Sequence, residues 1–124
     1  MKKLFLLLTI LMIMTSCSTS NQSTGGLRHV VSFKFKPEAT TNQVNALIEA
    51  FEGLQNDIPQ IKAFEWGLNN SPEGLDRGMT HVFLLTFDDA KARDEYLPHP
   101  AHKAFGEKHG PIIADVVVVD YLIQ

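Results

Sequence analysis

Cysteine is almost missing from these 124 residues: Cys17 stands alone, so no disulfide can form within the chain and its stability has to come from packing. Basic residues are also few. Eleven lysines and arginines stand against fourteen aspartates and glutamates for a formal charge of −3, with no basic stripe and no basic–aromatic interleaving, which argues against nucleic acid as a partner and against loose attraction to anionic lipid. Internal repeats and low-complexity runs are absent from Leu27 to Gln124, about one hundred residues that suffice for one compact domain and no more. Five histidines are present, yet the spacing of His29, His81, His102 and His109 matches no zinc signature, so no metal site and no cofactor are expected.

Long hydrophobic runs are missing too. The longest is Leu4 to Met14, too short to cross a bilayer of about 30 Å, and it follows Lys2 and Lys3 and precedes small residues, the order of a signal peptide. Met14-Thr15-Ser16-Cys17 resembles the lipobox of bacterial lipoproteins, in which the cysteine is lipidated and becomes the new N-terminus. Residues 1–17 therefore read as a leader ending in a lipidation site at Cys17. Residues 18–26 are all Ser, Thr, Asn, Gln or Gly and read as a flexible tether, at most about 30 Å long when stretched. The expectation is a bacterial cell-envelope protein anchored by lipid, with residues 27–124 as the folded domain. Loss of the two leader lysines leaves nine basic against fourteen acidic residues, a charge of −5.

Leu27 to Lys36 alternates, with Leu27, His29, Val31, Phe33 and Phe35 on one face, the pattern of a strand. Thr40 and Gln43 form a capping box ahead of Val44, Leu47, Ile48, Phe51 and Leu54 at helical spacing. A second strand is predicted over Ile61 to Leu68, with Phe64 and Trp66 on one face and Trp66 expected in the core, and polar turn residues follow from Asn69 to Gly78. The third, Thr80 to Phe87, carries His81, Phe83, Leu85 and Phe87 on one face and Val82 and Leu84 on the other. Asp88 or Asp89 caps a helix running to Leu97, and Ala114 to Ile123 forms a last strand that is apolar on both faces except at Asp115 and Asp120, the latter being the acceptor for a nearby donor. The order β-α-β-β-α-β, with an extra helical turn, predicts an α+β domain with a four-stranded, mainly antiparallel sheet and helices on one face. Its other face would be wet in a monomer, so a second copy is expected to pack sheet against sheet.

Asp94 to Gly106 concentrates the chemistry. Pro98 and Pro100 withhold two N–H donors and stop a helix by Leu97, while Pro100 suits the first position of the next. Tyr96 then ends one helix and His102 begins another, a corner able to aim both into one pocket. His99, between the prolines, is expected to cap the second helix or meet solvent.

The stretches "LRHVVSFKFKP", "THVFLLTFDD", "RDEYLPHPAHKAF" and "VVVVDYL" resemble the stress-responsive dimeric alpha/beta barrel (Dabb) family over Leu27 to Ile123. The resemblance implies a ferredoxin-like protomer whose sheet pairs with its twin's in a homodimeric barrel. That family includes a plant polyketide cyclase that uses no metal or organic cofactor, and its catalytic tyrosine and histidine fall on Tyr96 and His102. His29 and His81 correspond to further histidines of its pocket, and Phe51 is placed to wall it. Arg93 stands where that enzyme has an apolar residue; turned inward it would hold an anionic group of a ligand, turned outward it is a solvated charge. Three functions follow as alternatives: binding of a small hydrophobic or aromatic molecule, cofactor-independent acid–base catalysis, or a structural, stress-protective oligomer without ligand.

Overall fold

The computed structural model describes residues 26–124; the leader, Cys17 and all of the tether except Gly26 lie outside the described residues. Strand β1 (Leu27–Phe35) leads to helix α1 (Thr41–Asp57), and β2 (Ala63–Leu68) to β3 (His81–Phe87). Helices α2 (Ala90–Tyr96) and α3 (Pro100–His109) follow, then a 3₁₀ turn at Gly110–Ile112 and β4 (Ile113–Leu122). The fold is ferredoxin-like, and the expected extra turn proves to be a full ten-residue helix. The four strands run antiparallel in the order β2-β3-β1-β4, which leaves β2 and β4 at the edges. No helix among the described residues is long and apolar enough to cross a membrane.

Local chemistry accounts for the element ends. Thr40 Oγ1 accepts from Gln43 N at 3.2 Å while Gln43 Oε1 accepts from Thr40 N at 2.9 Å, the reciprocal box that satisfies two otherwise orphaned donors of α1. Of the two candidate caps for α2 it is Asp89 that acts, accepting from Ala92 N at 2.8 Å. The second strand begins at Ala63 rather than Ile61, because Ile61 N is taken up in a turn by Ile58 O at 3.1 Å.

Alternation puts Leu27, His29, Val31 and Phe33 of β1 beside Phe87, Leu85, Phe83 and His81 of β3 on the face under the helices. There Phe51 of α1 lies between Phe83 (ring centroids 4.9 Å apart) and Phe105 of α3 (4.7 Å, stacked), and these rings join Leu47, Leu54, Leu85 and Phe87 in one core. Trp66, expected in that core, is 42% exposed. It belongs to an edge strand with no neighbour on its outer side, so the indole covers His81 and Phe83 with one face and leaves the other open.

The helices do not reach across the whole sheet. On β4, Val116 and Val118 share the helix side with Phe33 and Val31 yet are 48% and 51% exposed, while Val117 and Val119 on the opposite side are 41% and 54% exposed. Val30, Val82 and Leu84 extend that second side as partly buried positions, which gives the sheet a continuous apolar surface turned away from its own helices.

Candidate functional site

The site grows out of the break between α2 and α3. A helix end leaves carbonyls without intrahelical donors, and the two prolines remove two further N–H groups at this point. Leu97 O, orphaned by this, accepts from His102 Nδ1 at 2.9 Å. His99 caps α3, its Nδ1 accepting from Ala101 N at 3.2 Å. Because a carbonyl only accepts, His102 carries a hydrogen on Nδ1, so that in the neutral form of the ring Nε2 is the acceptor.

The same corner drives Tyr96 inward. Its side chain is fully buried against Phe87 (5.1 Å), the edge of His29 (5.7 Å) and His102 (4.3 Å), and its hydroxyl has no hydrogen-bond partner among the described residues. Burial, and secondarily the negative charge of Asp120, push the phenol well above its ordinary pKa, so it stays a donor across the physiological range. An unpartnered buried hydroxyl costs roughly 1–3 kcal/mol, so a water or a ligand oxygen that reaches it is favoured.

His29 sits deeper on β1, directly opposite Asp120 of β4. Its Nδ1 donates to Asp120 Oδ1 at 2.6 Å, and the other carboxylate oxygen of Asp120 accepts from Arg93 Nη1. Arg93 Nε donates to Asp94 at 2.8 Å. Loss of hydration on burial is the largest influence on His29 and lowers its pKa, opposed by Asp120, so the imidazole is held toward neutral. Between these groups and β4 lies a cavity of about 260 Å³, walled by Val31, Phe33, Phe51, Phe105, Val116 and Val118 besides Tyr96, His102 and His29. Nearly all of its wall is hydrocarbon. Its chemistry is therefore confined to one phenol donor and two imidazoles.

Tyr96, His102, His29 and Phe51 are brought together at this cavity, and two of the expected residues are not. His81 lies toward the other end of β3, stacked on Trp66 and hydrogen-bonded through Nδ1 to Thr80 Oγ1 at 2.8 Å, outside the cavity wall. Pairing with Phe33, four residues along β1 from His29, carries it away. Arg93 pairs with Asp120 and Asp94 and is not part of the cavity wall, so it does not present its charge to a ligand there. Three contributors were not anticipated from the sequence: the Leu97 carbonyl and the helix-side valines Val116 and Val118. A run of four valines shows apolar character without showing which member faces a void. No group of His, Cys, Asp and Glu suited to a metal ion occurs among the described residues.

A four-stranded ferredoxin-like protomer with a tyrosine–histidine corner over an apolar cavity defines a class of small α+β barrel proteins. The chain belongs to the stress-responsive A/B barrel domain (Dabb) family, whose model matches residues 27–123. It is 36% identical over 100 residues to the stress-response A/B barrel domain-containing protein HS1 of Arabidopsis thaliana, covering 81% of this chain and 92% of that protein. It is 30% identical over 95 residues to olivetolic acid cyclase of Cannabis sativa, covering 77% and 94%. Among solved structures, the hydroxynitrile lyase of Passiflora edulis superposes with a TM-score of 0.74 at 27% identity, covering 82% of this chain and 95% of that one. A dimeric ferredoxin-like protein from Jannaschia sp. superposes with a TM-score of 0.70 at 26% identity, covering 80% and 100%.

Replacing Tyr96 by Phe removes a buried hydroxyl that the fold does not satisfy. The variant is expected to be as stable as the parent or about 1 kcal/mol more so in urea denaturation. A loss of 2 kcal/mol or so would instead mark the phenol as a structural fastener.

Proposed function

We propose that this protein is an envelope-anchored homodimer in which each protomer binds one small, mainly apolar molecule bearing an oxygen function in the cavity beneath α2 and α3. The observation that carries this reading is the hydroxyl of Tyr96, buried and unpartnered at an apolar wall beside the imidazole of His102. An apolar cavity with a hydrogen-bond donor at its edge suits a ligand that is mostly hydrocarbon with one oxygen to accept from that donor. The dimer is supported by the apolar sheet surface of Val30, Val82, Leu84, Val117 and Val119 and by the dimeric state of the Jannaschia neighbour. Covering a patch on the order of several hundred Å² at about 25 cal/mol per Å² is worth many kcal/mol.

A second reading, cofactor-independent acid–base catalysis, is favoured by the fixed tautomer of His102 and by the cyclase and lyase among the similar proteins. In it, Nε2 of His102 removes a proton from carbon next to a carbonyl while Tyr96 donates a hydrogen bond to the developing enolate oxygen. The protein's own groups suffice for both steps.

Thermal-shift titration with small ketones and alkylphenols is expected to raise the melting temperature of the parent and to leave His102→Ala much less affected. Equal shifts in the two proteins would remove the cavity from the account. Leu84→Glu, which places a charge at the middle of the open sheet face, is expected to convert a dimer to a monomer in sedimentation analysis; a parent that already sediments as a monomer would overturn the pairing. Cys17→Ser is expected to shift the protein from the membrane fraction to the soluble one and to abolish incorporation of radiolabelled palmitate, and retention of the label would refute lipidation at this position.

A further inference from the structure

The ion pair between Arg93 and Asp120 is not used by either reading of the cavity, yet it stands directly behind it. Asp120 spends one oxygen on His29 and the other on Arg93, whose remaining contact is with Asp94. We propose that Arg93 is a positioning residue which, through Asp120, fixes His29 with its hydrogen on Nδ1 and Nε2 left as a free acceptor at the cavity wall, so that the site selects an uncharged ligand carrying a phenol or enol hydroxyl over the corresponding carboxylate. The inference rests on the binding reading above and names the ligand class for the same cavity.

The argument is one of charge balance. A lone carboxylate at 2.6 Å from an imidazole draws a proton onto it, because an opposite charge at that range favours the charged form. The guanidinium supplies the counter-charge instead. Asp120 is then neutralised from α2, and His29 has no need to become imidazolium. The groups that face His29 are Asp120 from β4, Arg93 and Tyr96 from α2 and His102 from α3, with Asp94 behind Arg93. Burial is the strongest influence holding His29 toward neutrality, Asp120 opposes it, and Arg93 adds the smallest push, in the direction of neutrality. His29 Nε2 bonds to nothing among the described residues, and His29 lines the cavity.

A ligand therefore meets two imidazole acceptors, His29 and His102, and one donor, Tyr96. A hydroxyl can give its hydrogen to either imidazole and take one from the phenol. A carboxylate would meet acceptors it cannot feed and would be stripped of water with no free cation to pair with, since Arg93 is already held by two carboxylates.

The test compares 4-methylphenol with 4-methylbenzoate by calorimetric titration of the full-length protein, alongside ¹⁵N spectra of the histidine rings over a pH series. The parent is expected to show His29 as one neutral tautomer at neutral pH and to bind the phenol at least about tenfold tighter than the benzoate. In Arg93→Met the titration midpoint of His29 is expected to rise and the preference for phenol to shrink by about tenfold. Arg93→Lys restores both. An Arg93→Met protein that keeps the parent's fold, His29 titration and preference overturns the proposal. Where Arg93→Met does not fold, Arg93→Gln, shorter but still carrying an N–H donor without the charge, takes its place, and the same two readouts apply. If neither compound binds the parent, the binding reading fails and the ligand preference with it; the His29 titration then decides the role of Arg93 by itself, a shift upholding it and no shift overturning it.

Discussion

Two prolines separated by one residue set the geometry on which the site depends. They deny a backbone donor to the carbonyl that follows α2, and His102 supplies one by reaching back to Leu97 O, while His99 caps α3 by accepting from Ala101 N. That back-reach fixes the tautomer of His102 and brings its ring to 4.3 Å from Tyr96. What looks like a helix-capping repair is thus also what prepares a free imidazole nitrogen beside a phenol. A longer, unbroken helix would have satisfied its own carbonyls and left neither group so placed.

Asp120 completes the arrangement from the other side. It is the least exposed residue from Ala114 to Leu122, and it receives donors from a strand and a helix at once. A carboxylate there would be unfavourable if isolated, and it is tolerated because both oxygens are occupied. The consequence for the cavity is an interior that is polar only at three rings and carries no uncompensated charge.

Edge position explains the places where composition alone misleads. Trp66 has the size and hydrophobicity of a core residue but sits on β2, which has a neighbour on one side only, so half of the indole stays exposed. His81 shares a strand face with Leu85 and Phe87, and alternation alone groups it with His29. The antiparallel register puts it opposite Phe33 instead, toward the far end of the sheet. The face was legible and the distance along it was not.

The element order, the cap at Thr40, the helix break at the prolines and the apolar faces of the strands are readable from the chain alone, because each follows from local backbone chemistry or from a period of two or 3.6 residues. That Arg93 is bound to Asp120, that Val116 and Val118 border a void, and that His29 rather than His81 accompanies Tyr96 and His102 emerged from the fold. Those facts depend on strand register and on how far the helices extend across the sheet. Both are set by the summed packing of residues far apart in the chain, and no local spacing records them.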